Sequence, residues 1–145
     1  MAVKPCPDLP KSGADAMLKD LFLFIPNDKD IQELCPTENT LEGRMKYFQA
    51  KGVQHVLVTL GEHGCAYLDR NTVRYYPGEK VTVVDTAGAS DCFISSLLVC
   101  LANGQSFEKA IPYANYAAGL SVTRKGNFSS MAYKSMLDLH FGNKL

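Results

Sequence analysis

The chain has 145 residues, of which 46% are hydrophobic and 21% charged, and its formal net charge at pH 7 is zero. This length and composition are typical of a single globular domain with a hydrophobic core. The balanced charge argues against nucleic-acid binding, and the longest apolar stretches, Leu21–Ile25 and Leu97–Ala102, are too short to span a membrane. No signal peptide is recognisable, so a cytoplasmic protein is expected.

The five cysteines form neither a metal-binding nor a disulfide pattern, because their number is odd and no C-x-x-C spacing occurs. Cys92 and Cys100 fall in an apolar segment and are predicted to be buried, reduced thiols. A structural zinc domain and a disulfide scaffold are therefore not expected.

Strands and helices alternate through the first 76 residues. The predicted strands are the N-terminal segment 2–7, which ends in two prolines, and Leu21–Ile25, His55–Leu60, Gly64–Leu68 and Thr72–Tyr76. The predicted helices run from Ser12 to about Lys19, from Asp28 towards Leu34, and from Thr37 to Lys51. The last two strands read as a hairpin.

A strand at Lys80–Val84, a turn of small residues and an apolar helix are predicted next. Such a turn exposes backbone N–H groups at a helix N-terminus, where the helix dipole favours an anion. Aspartates flank the turn, and one beside an anion site can accept a proton from a hydroxyl. On pattern alone, an ordinary turn with Asp91 as a capping acid fits equally well.

Two further helices complete the chain. Ser106 is predicted to cap a helix rich in alanine, in which Pro112 should produce a kink or move the start. Tyr133–Phe141 forms the last helix. The alternation of elements predicts a mainly parallel α/β sheet with antiparallel pieces around residues 64–76. Ligands bind at the carboxyl ends of such strands, which places Asn27, Gly61 and the 85–91 turn along one rim.

The turn Asp85-Thr-Ala-Gly-Ala-Ser-Asp91 resembles the D-T-x-G-A-G-D signature of the ribokinase-like (PfkB) carbohydrate kinases. Four other segments match family motifs in the same order along the chain. They are Lys4–Pro7 for N-P-A-P, Pro26–Asp30 for P-N-x-x-E, Val58–Gly64 for V-T-L-G-x-x-G, and Ala117–Gly126, which is especially similar to the ribokinases.

The resemblance implies a partial ribokinase-like fold: the C-terminal half of a mainly parallel, three-layer α/β/α sandwich with an antiparallel hairpin. Residues 1–145 would form the nucleotide-binding and catalytic portion, and the N-terminal half, with its lid and most sugar contacts, would be absent. The implied reaction is ATP-dependent phosphorylation of a sugar hydroxyl, with ribose as the best guess. A sugar would bind only together with the other half, so the chain alone is expected to be weak or inactive.

The resemblance also implies residue roles. Asp91 would be the general base, and the N–H groups of Gly88, Ala89, Ser90 and Asp91 would hold the transferring phosphate. The implied cofactors are ATP, Mg²⁺ and a monovalent cation such as K⁺. Asp30 would act with Asn27 on Mg²⁺ through water. The nucleotide would contact Asn27, Thr59, Gly61, Gly64 and, at the adenine, Asn115. The monovalent cation would be held by Asp85, Ala87, Val122, Lys125 and Ser130.

Four positions depart from the family pattern: Ser90, Asp30, Lys4, where related chains often have asparagine, and Pro112, in a helix that normally has no proline. Ser90 replaces a glycine, and its Cβ would cost energy and narrow the anion site if that position needs a positive φ or close approach of the phosphate. Asp30 replaces a longer glutamate. Asn115 also has a simpler interpretation than an adenine contact, because a polar residue on an exposed helix face needs no functional explanation. These departures leave open an alternative function, a non-catalytic nucleotide-binding or interaction module. Such a module could form a homodimer that pairs through an exposed sheet edge.

Overall fold

The computed structural model describes residues 1–4 and 17–142. These residues form two compact units, which divide between Tyr76 and Pro77. The start of the helix predicted from Ser12, and all but the first residue of the Lys4–Pro7 motif, lie outside the described residues. No helix in the described part of the chain is long and apolar enough to cross a membrane.

The first unit is built on a five-stranded sheet whose spatial order follows the sequence. The strands are β1 (Ala2–Val3), β2 (Leu23–Phe24), β3 (His55–Thr59), β4 (Cys65–Asp69) and β5 (Thr72–Tyr76). The first three are parallel, whereas β4 and β5 form an antiparallel hairpin beside β3. The predicted combination of parallel strands with an antiparallel hairpin is therefore confirmed.

Two helices cover this sheet, and the apolar periodicity of the sequence explains their orientation. Helix α1 (Asp28–Leu34) buries Ile31, and helix α2 (Leu41–Ala50) buries Met45 and Phe48. The Phe48 ring lies 4.8 Å from that of Phe24 on β2. Burial of several such side chains, each contributing roughly 1.5–3 kcal/mol, stabilises the unit.

The sequence predicted that α2 begins at Thr37, but it begins at Leu41. The reason is local: the Thr40 hydroxyl accepts the N–H of Gly43 at 3.0 Å and so caps the helix there. A threonine in this position satisfies one of the N–H groups that the first helical turn leaves without a partner.

The second unit is helical in its described residues. Helix α3 (Ala89–Ala102) packs along helix α4 (Phe107–Ser121), and helix α5 (Lys134–Phe141) follows. The small residues of α4 allow a close approach, since Ala110, Ala114 and Ala117 are fully buried. Cys92 and Cys100 of α3 are buried free thiols, as predicted, and the Cys92 thiol donates to the Ala117 carbonyl at 3.4 Å.

The strand predicted at Lys80–Val84 is wrong. This segment has no regular secondary structure, and Val81, Val83 and Val84 are exposed. A run of β-branched residues favours a strand only where another strand pairs with it. Here the N–H groups of Val84 and Asp85 instead donate to the carbonyl of Val122 at 2.8 and 3.2 Å.

Pro112 does not move the start of α4, which begins directly after Ser106 and continues through the proline. Ser106 occupies the predicted cap position, but its side chain makes no capping hydrogen bond. The helix therefore tolerates an interior proline, a residue that cannot donate a hydrogen bond one turn back.

Candidate active site

The turn before α3 requires glycine at position 88. Gly88 has φ 77° and ψ 0°, the left-handed conformation that other residues adopt only with strain. A Cβ at this position would also collide with the Oδ1 atom of Asn127. The backbone conformation therefore favours glycine, and any side chain here would also have to displace that of Asn127.

Ala89, Ser90 and Asp91 form the first turn of α3. N–H groups in a first turn have no carbonyl partner within the helix, and the positive end of the helix dipole lies there. The N–H of Ala89 donates to the Thr86 carbonyl at 3.2 Å, at the longer end of such bonds. The arrangement suits an anion placed just before the helix.

The structure answers two questions about this turn that the sequence left open. Ser90 does not have a positive φ; among the described residues other than glycine only Arg70 does. The Cβ of Ser90 therefore causes no strain of the kind that a positive φ would bring. Asp91 is not the helix cap either, because Gly88 occupies that position. The Asp91 carboxylate is exposed in the first helical turn.

Asp85 ties the turn to the loop that follows α4. Its Oδ1 accepts the N–H of Ala87 at 3.0 Å, and its Oδ2 accepts the N–H of Gly126 at 2.9 Å. The N–H of Gly126 has the largest effect on Asp85 and, together with that of Ala87, lowers its pKa below the usual 3.8. Partial burial raises the pKa, and the positive charge of Lys125 lowers it. The carboxylate is therefore held in its charged form.

The loop after α4 is stabilised by its own hydrogen bonds. The hydroxyl of Ser130, a buried residue, donates to the carbonyls of Gly126 and Asn127 at 2.6 and 2.8 Å. Sequence reasoning missed Gly126 and Asn127 as partners of the turn. The dipeptide Gly-Asn is a turn signal that could have drawn attention to them.

Three of the residues implied for a monovalent cation lie together in the structure. The Ala87 N–H donates to the Asp85 carboxylate, and the Asp85 N–H donates to the Val122 carbonyl. A carbonyl oxygen has two lone pairs, and that of Val122 already accepts two N–H groups. It therefore fits a cation poorly in this arrangement. Each Asp85 oxygen accepts one hydrogen bond and the Ser130 hydroxyl acts as a donor, so both retain acceptor capacity.

The first unit places Asn27 beside Thr59, at the carboxyl ends of β2 and β3. The two residues form a parallel bridge, and the Thr59 N–H donates to Pro26 at 3.0 Å. Asn27 also caps α1, because its Oδ1 accepts the N–H of Asp30 at 2.7 Å. The P-N-x-x-D segment thus uses its asparagine oxygen within the chain and leaves Asp30 in the first turn of α1.

The segment after β3 turns sharply through two glycines. Gly61 has φ 59° and Gly64 has φ 87°. The Gly64 N–H donates to Gly61, and the Leu60 N–H donates to Gly64 at 2.8 Å. A Cβ at Gly61 would meet open space, so the backbone there is accessible to a ligand.

Asn115 is not on an exposed helix face, as one interpretation of the sequence had it. It is 7% exposed, and its amide donates to the Pro77 carbonyl at 3.0 Å. In the described residues no group of three or more His, Cys, Asp or Glu side chains could hold a metal ion. A Mg²⁺ site would therefore need phosphate and water oxygens as further ligands.

A model of the pfkB family of carbohydrate kinases matches residues 3–132. The chain therefore belongs to the pfkB carbohydrate kinase family. It is 29% identical to the ribokinase of Staphylococcus aureus over 126 residues, which cover 83% of this chain and 41% of that protein. Fructokinase-2 of Zea mays is 29% identical over 129 residues, 84% of this chain and 38% of the relative. The chain thus spans about two fifths of these relatives.

Solved structures confirm the ribokinase-like fold. Ribokinase from Thermotoga maritima matches with a TM-score of 0.84 and 31% identity, covering 92% of this chain and 47% of that one. Arabidopsis thaliana ribokinase complexed with ribose and ATP matches with a TM-score of 0.80 and 27% identity, covering 90% of this chain and 44% of that one. An E. coli structure described as a ribokinase II in complex with ATP and Mg²⁺ matches with a TM-score of 0.80 and 26% identity, covering 88% of this chain and 41% of that one.

Proposed function

We propose that this chain forms the nucleotide-binding and catalytic portion of an ATP-dependent sugar kinase. The observation that carries the proposal is the 85–91 turn. There a glycine in the left-handed conformation, packed against the Asn127 side chain, precedes a long helix with an aspartate in its first turn. Family membership gives this geometry its chemical meaning, since the relatives are sugar kinases.

In the proposed reaction Asp91 accepts the proton of a sugar hydroxyl as that oxygen attacks the γ-phosphate of ATP, and ADP leaves with the bridging oxygen. The carboxylate is exposed and so accessible to a substrate. The N–H groups of Gly88, Ala89, Ser90 and Asp91 stabilise the charge on the transferring phosphate. Positioned donors of this kind supply much of the rate, and the loss of one typically costs on the order of 10²–10³ in turnover.

ATP and Mg²⁺ are the proposed cofactors, and a similar structure holds both. Asn27 and Asp30 would act on Mg²⁺ through water, and Thr59, Gly61 and Gly64 would contact the nucleotide. The open space at Gly61 supports close approach of a phosphate or ribose. Asn115 is the proposed adenine contact, but its amide nitrogen already donates to Pro77, so a contact through that atom would replace this bond.

A monovalent cation beside the turn is part of the proposal. Asp85, Ala87, Lys125 and Ser130 would supply oxygens, whereas Val122 would first have to release an N–H group. The cation would neutralise charge next to the phosphate site and hold the turn in place. An ATP affinity that is the same in K⁺ as in a bulky organic cation of equal concentration would refute this part.

Titration of the chain with ATP and Mg²⁺ by calorimetry tests nucleotide binding. We expect Gly88→Ala to weaken binding about tenfold or more, because the added Cβ displaces Asn127 and strains the turn. Gly104→Ala is a matched control. Gly104 also has φ 77°, but a Cβ there meets open space, away from the turn.

The two variants should share a loss of stability of roughly 1 kcal/mol from the backbone strain, but only Gly88→Ala should lose ATP affinity. If the wild-type chain binds no ATP, or if Gly88→Ala binds it normally, the proposed nucleotide site is wrong.

A coupled assay of ADP release with ribose measures activity of the 145-residue chain. We expect little or no turnover, because the chain spans about two fifths of its relatives. Any residual turnover should disappear in Asp91→Asn, which removes the base but should leave ATP affinity nearly unchanged. Ordinary turnover by the isolated chain would contradict this expectation.

A further inference from the structure

One face of α4 holds the segment that leads to the catalytic turn. Asn115 and Gly119 lie one turn apart and share one side of the helix, and Val122 caps its C-terminal end. The Asn115 amide donates to Pro77, and the Val122 carbonyl accepts the N–H groups of Val84 and Asp85. These contacts hold the segment 77–85 near its two ends.

Between these contacts the helix approaches the segment closely at Gly119. A methyl group on Gly119 would lie 2.6 Å from the Cβ of Glu79 and 2.9 Å from its Cγ. Cβ atoms in folded proteins do not approach non-bonded atoms this closely. A helix with glycine in its interior is less stable than the same helix with alanine there. The buried glycine at this position therefore needs a reason, and the room it leaves for Glu79 provides one.

Hydrophobic burial does not hold the segment in place. Val81, Val83 and Val84 are 37%, 54% and 60% exposed, although valine usually lies in the core. The position of residues 77–85 therefore depends on the two hydrogen-bonded ends and on the fit at Gly119.

We propose that Asn115 and Gly119 are positioning residues that set the location of the catalytic turn through the segment 77–85. The path is short and continuous. The segment ends at Asp85, whose carboxylate accepts the N–H of Ala87 and that of Gly126. Gly88 and the first turn of α3 follow directly. The effect on ATP binding rests on the function proposed above, whereas the effect on the segment itself does not.

Gly119→Ala tests the proposal in the full 145-residue chain. Without nucleotide, amide hydrogen exchange at Val84 and Asp85 should accelerate about tenfold, as expected when an overpacked contact pushes the segment off Val122. ATP affinity should fall by a similar factor. Circular dichroism should show unchanged helix content, because alanine favours the helix itself.

Two double variants separate a local collision from a general loss of fold. In Gly119→Ala/Glu79→Gly the colliding Cβ is gone, so exchange should return close to that of Glu79→Gly alone. Gly119→Ala/Glu79→Ala keeps the Cβ of residue 79 and should not recover. Gly43→Ala is the matched control in α2, where the new methyl group would meet the far end of the Glu38 side chain at 2.5 Å and the Thr40 hydroxyl at 3.0 Å, both of them side-chain atoms.

Asn115→Ala supplies a second, independent route, because it removes the hydrogen bond to Pro77 without adding bulk. It should accelerate exchange at the same two amides. Wild-type exchange in Gly119→Ala, or equal exchange in both double variants, would overturn the proposal. If the wild-type chain binds no ATP, the proposed function fails, and the exchange measurements still decide whether the face of α4 positions the turn.

Discussion

Asp85 shows how one side chain can connect two parts of a fold without being buried. Both of its oxygens accept backbone N–H groups, one from the turn and one from the loop after α4. These bonds favour the charged form and lower its pKa. Because the pKa in the folded state is lower than in the unfolded state, the charged carboxylate stabilises the fold.

This lowered pKa gives a pH-dependent prediction. The stabilisation is fully present above the ordinary carboxyl pKa of 3.8 and is lost as the pH falls through the lower, folded-state pKa. Asp85→Asn should therefore reduce the urea midpoint at pH 7, and the difference from wild type should shrink as both proteins are acidified below pH 3.8. A difference that stays constant throughout the acid titration would contradict this account.

Residue roles were only partly predictable from the sequence. The identity of Gly88 followed from the motif, but the partner that makes it necessary, Asn127, is distant in the chain and was missed. The backbone angle of Ser90 and the burial of Asn115 were likewise not encoded locally, since both depend on where the helices begin and what packs on them.

At the scale of elements, periodicity predicted the buried strands and the hairpin well. Strand β3 and helix α2 have apolar patterns that match their buried faces. The pattern failed at Lys80–Val84, where a strong β propensity has no neighbouring strand to satisfy it. Strand formation is a property of a pair, and composition describes only one member.

Pro112 gives a prediction for α4. It lies inside the helix and cannot donate to the carbonyl one turn earlier. Pro112→Ala should therefore raise the free energy of unfolding by roughly 1–2 kcal/mol, less than the full propensity difference because the unfolded chain also gains freedom. Urea denaturation followed by circular dichroism measures the change. A lower midpoint in the variant would show that the proline is needed for packing.

At the scale of the whole molecule, β1 and β5 are the edge strands of the described sheet. An edge strand can accept a further strand, so we propose that the isolated chain self-associates through β5. Sedimentation should show an average mass that rises with concentration. Tyr75→Lys, at a residue 65% exposed on β5, should reduce this association, because charge on an edge opposes strand pairing.

Val99→Lys on α3 is the control, since Val99 is 52% exposed but lies on no strand. Equal loss of association in both variants would mean that hydrophobic contact, not strand pairing, joins the copies. A constant monomer mass in the wild-type chain would exclude self-association.

The buried cysteines have a practical consequence for measuring how the chain opens. Cys35 and Cys65 belong to the first unit, Cys92 and Cys100 to the second, and all four are thiols outside any disulfide and at most 2% exposed. A thiol reagent can modify them only after local unfolding. In a Cys6→Ser background, the rate of modification at each cysteine would report the opening of each unit separately, with the chain's own thiols as the probes.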